Sequence, residues 1–98
     1  MGENSKYDNA EEKFALICEE CGALFSVKNR QYGNAIEETG VLGAAVEIVG
    51  IAARLKQIVI RGDGEEVQMD TLRDILMDLH NYATIAIMML DDKNMRGD

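Results

Sequence analysis

The sequence predicts an all-α fold of three main helices per chain, a helical bundle completed by oligomerisation. Three observations predict it. The 98 residues contain no proline, which leaves long helices uninterrupted. Apolar residues in the first and last thirds recur at helical spacing. The middle third is apolar nearly all round a helical wheel, and such a helix is buried on every side. Two other helices of one short chain cannot enclose it, whereas a second copy can. The length allows a single domain, 1–98, with a core of about 10–91 and polar tails at both ends.

The first helix is expected over roughly 10–29, capped by Asp8 or Asn9. Phe14, Ile17, Cys18, Cys21, Leu24 and Phe25 form its apolar face. Residues 30–34 read as a break, because Gly33 accepts a positive φ and Asn34 bonds its own backbone. The second helix follows over about 36–61, with Val41, Leu42, Val46, Ile48, Val49 and Ile51 among its apolar positions. Its interior glycines each cost about 1 kcal/mol against alanine, so Gly40 and Gly43 mark the place for a kink. Residues 61–65 form a tight turn, and Asp63 with Glu66 matches a capping box. The third helix, about 66–91, carries the stripe Leu72, Ile75, Leu76, Leu79, Ala83, Ala86, Ile87 and Leu90.

Composition narrows the function classes. The net charge of −8 opposes a phosphate backbone, so nucleic acid is not an expected direct partner. The same carboxylates suit a hard divalent cation, although solubility alone also accounts for them. The longest nearly uncharged run, 39–53, falls short of the about 20 residues of a membrane span. No charged-then-apolar leader opens the chain, which leads to the expectation of a cytoplasmic protein with reduced thiols.

Several side chains could carry chemistry. Asp70, Asp74 and Asp78 follow at steps of four, with Asn81 and Tyr82 next, all toward one helix face. Their mutual repulsion is relieved by a cation or a basic side chain, and a solvated face is the plain alternative. Glu47 is the only charge between Glu38 and Arg54, on a helix expected to be buried. A buried carboxylate must be paired, protonated or bound to metal; Arg54, two turns on, is the pairing alternative. An antiparallel hairpin about residue 64 sets position 47 opposite about 81, so Glu47, Asp74 and Asp78 could converge on Mg²⁺, with Mn²⁺ as substitute. Glu37 and Glu38 form a second acidic pair, which reaches that place only through a kink or across a subunit interface; compensation of the helix dipole is the alternative. Lys28, Arg30 and Tyr32 would offer a cation to phosphate and a ring to a base. Cys18-Glu-Glu-Cys21 lacks the four ligands of structural zinc and is read as two small, partly buried thiols. His80, the only histidine, lies off the aspartate face and is read as a satisfied or surface residue.

Three segments carry a family resemblance: Lys28-Asn-Arg-Gln-Tyr32-Gly33, then Glu37-Glu38-Thr-Gly40, then Asp74-Ile-Leu-Met-Asp78-Leu-His-Asn81-Tyr82-Ala. Together they resemble the short, MazG-like all-α nucleoside triphosphate pyrophosphohydrolases of phages and prokaryotes, over about 14–91. The resemblance implies a bundle completed by dimerisation, Mg²⁺ held by Glu and Asp on two adjacent helices, and cleavage of a (deoxy)nucleoside triphosphate to monophosphate and pyrophosphate. It implies metal ligands among Glu37, Glu38, Glu47, Asp74 and Asp78. Glu38 or Glu47 would be the general base, and Lys28, Tyr32, Arg54 and Asn81 the nucleotide contacts. The chain departs from the family pattern in having Val41 and Ile75 where acidic ligands stand, and Glu47 is the implied replacement. The other expectation is a catalytically silent helical module that binds a nucleotide or a protein.

Overall fold

A computed structural model of the chain describes residues 9–61 and 69–92, and along 30–39 the backbone alone. Among the described residues every regular element is a helix. Ala10–Ile60 is one helical run interrupted at a single residue, Gly40, with φ 64° and ψ −154°. That conformation is open essentially to glycine alone. The two arms, 10–39 and 41–60, are here α1 and α2, and Met69–Asp91 is α3.

The break expected at 30–34 does not occur. The backbone stays helical through Gly33 and Asn34, and the chain turns at Gly40 instead. Glycine in a helix is only mildly unfavourable, so Gly33 alone does not compel a turn. At the start of α1, Asn9 occupies the cap position in a left-handed conformation, but its side chain makes no capping bond. Its carbonyl accepts from the Lys13 amide at 2.9 Å. Asp8, the expected capping pair Asp63 and Glu66, and both polar tails lie outside the described residues.

α2 packs on α3 through Ala44, Ile85 and Met89, and Phe25 of α1 closes the same cluster with Val41, Tyr82 and Ala86. Ala44 opposite Ile85 and Met89 fits the antiparallel hairpin read from the sequence, and its small side chain permits close approach. α1 meets α3 through four polar pairs: Glu20 with Arg73, Cys18 with His80, Cys21 with Asn81, and Lys28 with Asp78.

The packed face of α3 matches its expected stripe only in part, at Ile75 and Ala86. It buries Ile75, Met77, Asn81, Ile85 and Met89, while Leu76, Ile87 and Leu90 are exposed. α2 likewise buries Ala44 and Ile51 and leaves Leu42 75%, Val46 62% and Val49 68% exposed on its opposite side. The middle helix is therefore not enclosed by its own chain. Positions 42, 46, 49 and 53 of α2, and 72, 76, 79, 83, 86 and 90 of α3, alternate steps of three and four, the spacing of a seam between helices. No helix among the described residues is long and apolar enough to cross a membrane.

Candidate functional site

Asp78 is half-buried on α3, and Lys28 of α1 reaches it at 3.8 Å. Both groups keep much of their solvent, so the pair contributes at most about 1 kcal/mol. Tyr82, one turn on, packs against the core cluster. Burial raises the pKa of its phenol first; the negative charges of Glu47 and Asp78 raise it further. Glu47 stands on α2 and Asp78 on α3.

Glu47 is exposed, which corrects the expectation that it is buried. The reason is angular. At about 100° per residue, Glu47 lies about 60° round α2 from buried Ala44, on the edge of the packed face. Arg54 is exposed on the same side, and among the described residues the two form no ion pair. Asp70 and Asp74 are also exposed. Among the described residues no three of His, Cys, Asp and Glu are grouped to hold a metal ion. The side chains of Tyr32, Glu37 and Glu38 lie outside the described residues; their backbone belongs to the last turns of α1.

Asn81 faces the other way. It is buried between α1 and α3, and its Nδ2 donates to the Cys21 carbonyl at 3.1 Å. Its Oδ1 meets His80 Nδ1 at 3.2 Å, and His80 Nε2 meets Cys18 Sγ at 3.7 Å. The direction of this chain follows from its first link. A backbone carbonyl only accepts, so Nδ2 must face Cys21 and Oδ1 must face the imidazole. His80 Nδ1 then carries a proton, and in the neutral ring Nε2 is left as the acceptor toward the thiol. The Cys21 thiol is fully buried, and burial pushes its pKa up, with Cys18 beside it adding to the shift.

Beside this chain lies a cavity of about 350 Å³, walled by Cys18, Gly22, Phe25, His80, Ile85 and Met88, with Asn81 and Thr84 completing the polar side. The reading of Cys18, Cys21 and His80 as satisfied groups captures their burial but misses that they are linked. Sequence spacing holds no signal for a contact 62 residues apart.

At the far side of α1, Arg73 binds Glu20 through both guanidinium nitrogens, at 2.5 and 2.7 Å. The two hydrogen bonds hold the Glu20 carboxyl below its ordinary value.

Compared with protein-family models, curated proteins and solved structures, the chain matches none of them.

Proposed function

We propose that the chain is a Mg²⁺-dependent hydrolase that splits a nucleoside or deoxynucleoside triphosphate into monophosphate and pyrophosphate, and that it works as a homo-oligomer. One observation carries this reading beyond the residue pattern. Glu47 and Asp78 stand on α2 and α3, two helices that pack on one another. Carboxylates brought together from two packed helices are how helical bundles hold divalent metals.

The donor set is all oxygen, as Mg²⁺ prefers, but these residues alone make too few ligands. Glu37 lies nine positions beyond Lys28, about 14 Å farther along α1 at the usual helical rise. Glu37 and Glu38 would therefore join Glu47, Asp74 and Asp78 across a subunit interface. Bound there, Mg²⁺ would neutralise the phosphates and polarise the bond to be cleaved. Lys28 and Arg54 would add positive charge against the phosphates, and Tyr32 would offer its ring to the base. Glu38 or Glu47 would take the proton of the attacking water. Asn81 is no longer a nucleotide contact in this reading, since its amide is engaged between α1 and α3.

Exposed surface supports the oligomeric part. A folded monomer of 10.9 kDa exposes about 5,600 Å² by the usual scaling with mass. This chain exposes 7693 Å². Among the described residues, Leu42, Val46 and Val49 of α2 and Leu76, Ile87 and Leu90 of α3 contribute to that exposure as apolar side chains a second copy could cover.

A second reading draws on the Lys28–Asp78 pair. A ligand carboxylate already paired with an ammonium suits a silent module that binds nucleotide without turning it over. One assay separates the two: common nucleotides with Mg²⁺ or Mn²⁺, followed for pyrophosphate and phosphate. The proposal expects metal-dependent pyrophosphate from at least one nucleotide and its loss in Asp78→Ala. Tight binding without turnover supports the silent module. If no nucleotide is turned over and Asp78→Ala leaves binding unchanged, both the site and the activity are wrong.

A further inference from the structure

A second grouping of reactive side chains lies between α1 and α3, on groups that the proposed hydrolysis does not use. Cys18 Sγ is 3.7 Å from His80 Nε2, and His80 Nδ1 is 3.2 Å from Asn81 Oδ1. Asn81 is itself fixed by its bond to the Cys21 carbonyl. A thiol, an imidazole with its free nitrogen toward the thiol, and an amide that orients the ring are the parts of an activated sulfur nucleophile. Cys18 is half-buried at the wall of a cavity of about 350 Å³, whereas Cys21 is fully buried. The two thiols are therefore not equivalent, and only Cys18 has both a base and a space before it.

The cavity sets the ligand class. Gly22, Phe25, Ile85 and Met88 give it an apolar body, with the polar groups gathered on one side. Cys18 sits inside a helix, where backbone amides already serve the helix, so no amide is free to hold the oxyanion of an acyl transfer. Conjugate addition spreads its charge over an enolate, which demands less of a fixed donor than a tetrahedral oxyanion does. We propose that Cys18 is an imidazole-activated nucleophile that takes a covalent adduct from a small, largely apolar α,β-unsaturated carbonyl compound held in this cavity.

The step balances without a co-reactant. The thiol proton passes to His80 Nε2. The sulfur pair forms a bond to the β-carbon while the alkene π pair moves toward the carbonyl. The proton on Nε2 then goes to the α-carbon, and a thioether results. Nothing is oxidised and nothing leaves. This inference does not depend on the nucleotide reading, since neither Glu47 nor Asp78 takes part.

The test uses N-ethylmaleimide, a small apolar member of this electrophile class, on the full chain. Cys21→Ala leaves Cys18 as the one thiol, since the chain has two cysteines. Cys18 in the folded protein is expected to react about tenfold or more faster than in the same chain under denaturant, and His80→Gln to remove that advantage. Added free imidazole is expected to restore part of the lost rate in His80→Gln, which a merely structural change with retained helix would not allow. Met88→Trp, which fills the cavity, is expected to slow N-ethylmaleimide several-fold and to leave iodoacetamide, which needs no apolar pocket, unaffected. A folded-state rate no faster than the denatured one overturns the proposal. So does a rate unmoved by His80→Gln with helical circular dichroism intact. Should His80→Gln lose its helix, Met88→Trp decides: selective slowing supports the proposal, and equal rates overturn it.

Discussion

At Asn81 both ends of a buried amide are used, one on the Cys21 carbonyl and one on His80. Removing it strands polar groups at the α1–α3 contact. Asn81→Leu is expected to cost about 1–3 kcal/mol, read as a lower denaturant midpoint. Tyr82 supplies a different test. Its phenol is held neutral by burial, then by Glu47 and by Asp78. With the tyrosines at 7 and 32 changed to phenylalanine, Tyr82 is expected to titrate above its ordinary 10.0. Glu47→Gln and Asp78→Asn should each bring it partly back; an unmoved titration would show that these carboxylates are too far away to matter. A raised value means that the stabilising contribution is complete below the ordinary value and fades as pH rises through the folded one. Glu20 works in the opposite direction. Its carboxyl is held low by hydrogen bonds from Arg73, so its contribution is complete above 4.5 and fades as pH falls through the lowered value. Glu20→Gln should flatten that acid limb of thermal stability, and added salt should weaken it, because both partners are exposed. At this scale the sequence showed which residue types were present better than where they point. The antiparallel pairing of α2 with α3 was legible from hairpin register, as Ala44 opposite Ile85 shows. The burial of Glu47 was misread because apolar neighbours along a helix were taken as cover, while cover comes from other helices. The Cys18–His80–Asn81 chain was not legible, because nothing in the spacing fixes how α1 lies on α3.

Among the elements, Gly40 decides the shape. Its positive φ with ψ near −154° separates α1 from α2, and a Cβ there is strained whatever surrounds it. Gly40→Ala is expected to cost about 1–3 kcal/mol and to loosen the angle between the arms. Gly33→Ala, within continuous helix, should leave stability equal or raise it slightly. Comparing the two melting temperatures checks which glycine makes the turn; equal losses would return the break to 30–34. The helical class, the third helix and a kink at Gly40 or Gly43 were readable from spacing and glycine placement, but not which of the two glycines makes it. The break at 30–34 was not, since turn-forming residues are tolerated in a helix when packing holds it. The face that α3 buries was misread in part. Leu76, Ile87 and Leu90 of its apolar stripe are exposed while Ile75 is buried, and the chain packs on a mixed face containing Asn81 and Tyr82.

For the whole molecule, those exposed apolar side chains are the main fact. The radius of gyration is 16.4 Å, against about 13 Å for a compact domain of this length. Leu42, Val46 and Val49 on α2 and Leu76, Ile87 and Leu90 on α3 stand exposed, at the spacing with which helices pack on helices. A second copy offers the same faces and would cover them in pairs, the closed arrangement that most oligomers adopt. The same contact would bring Glu37 and Glu38 toward Glu47 and Asp78, so assembly and the proposed metal site stand together. Val46→Glu with Val49→Glu is expected to separate the copies and to abolish pyrophosphate release at the same time. The most direct measurement is the mass of the purified chain in solution, by sedimentation equilibrium over a range of concentrations. The account predicts a stable multiple of 10.9 kDa that the Val46→Glu, Val49→Glu chain loses; a well-folded species of 10.9 kDa at every concentration would contradict it.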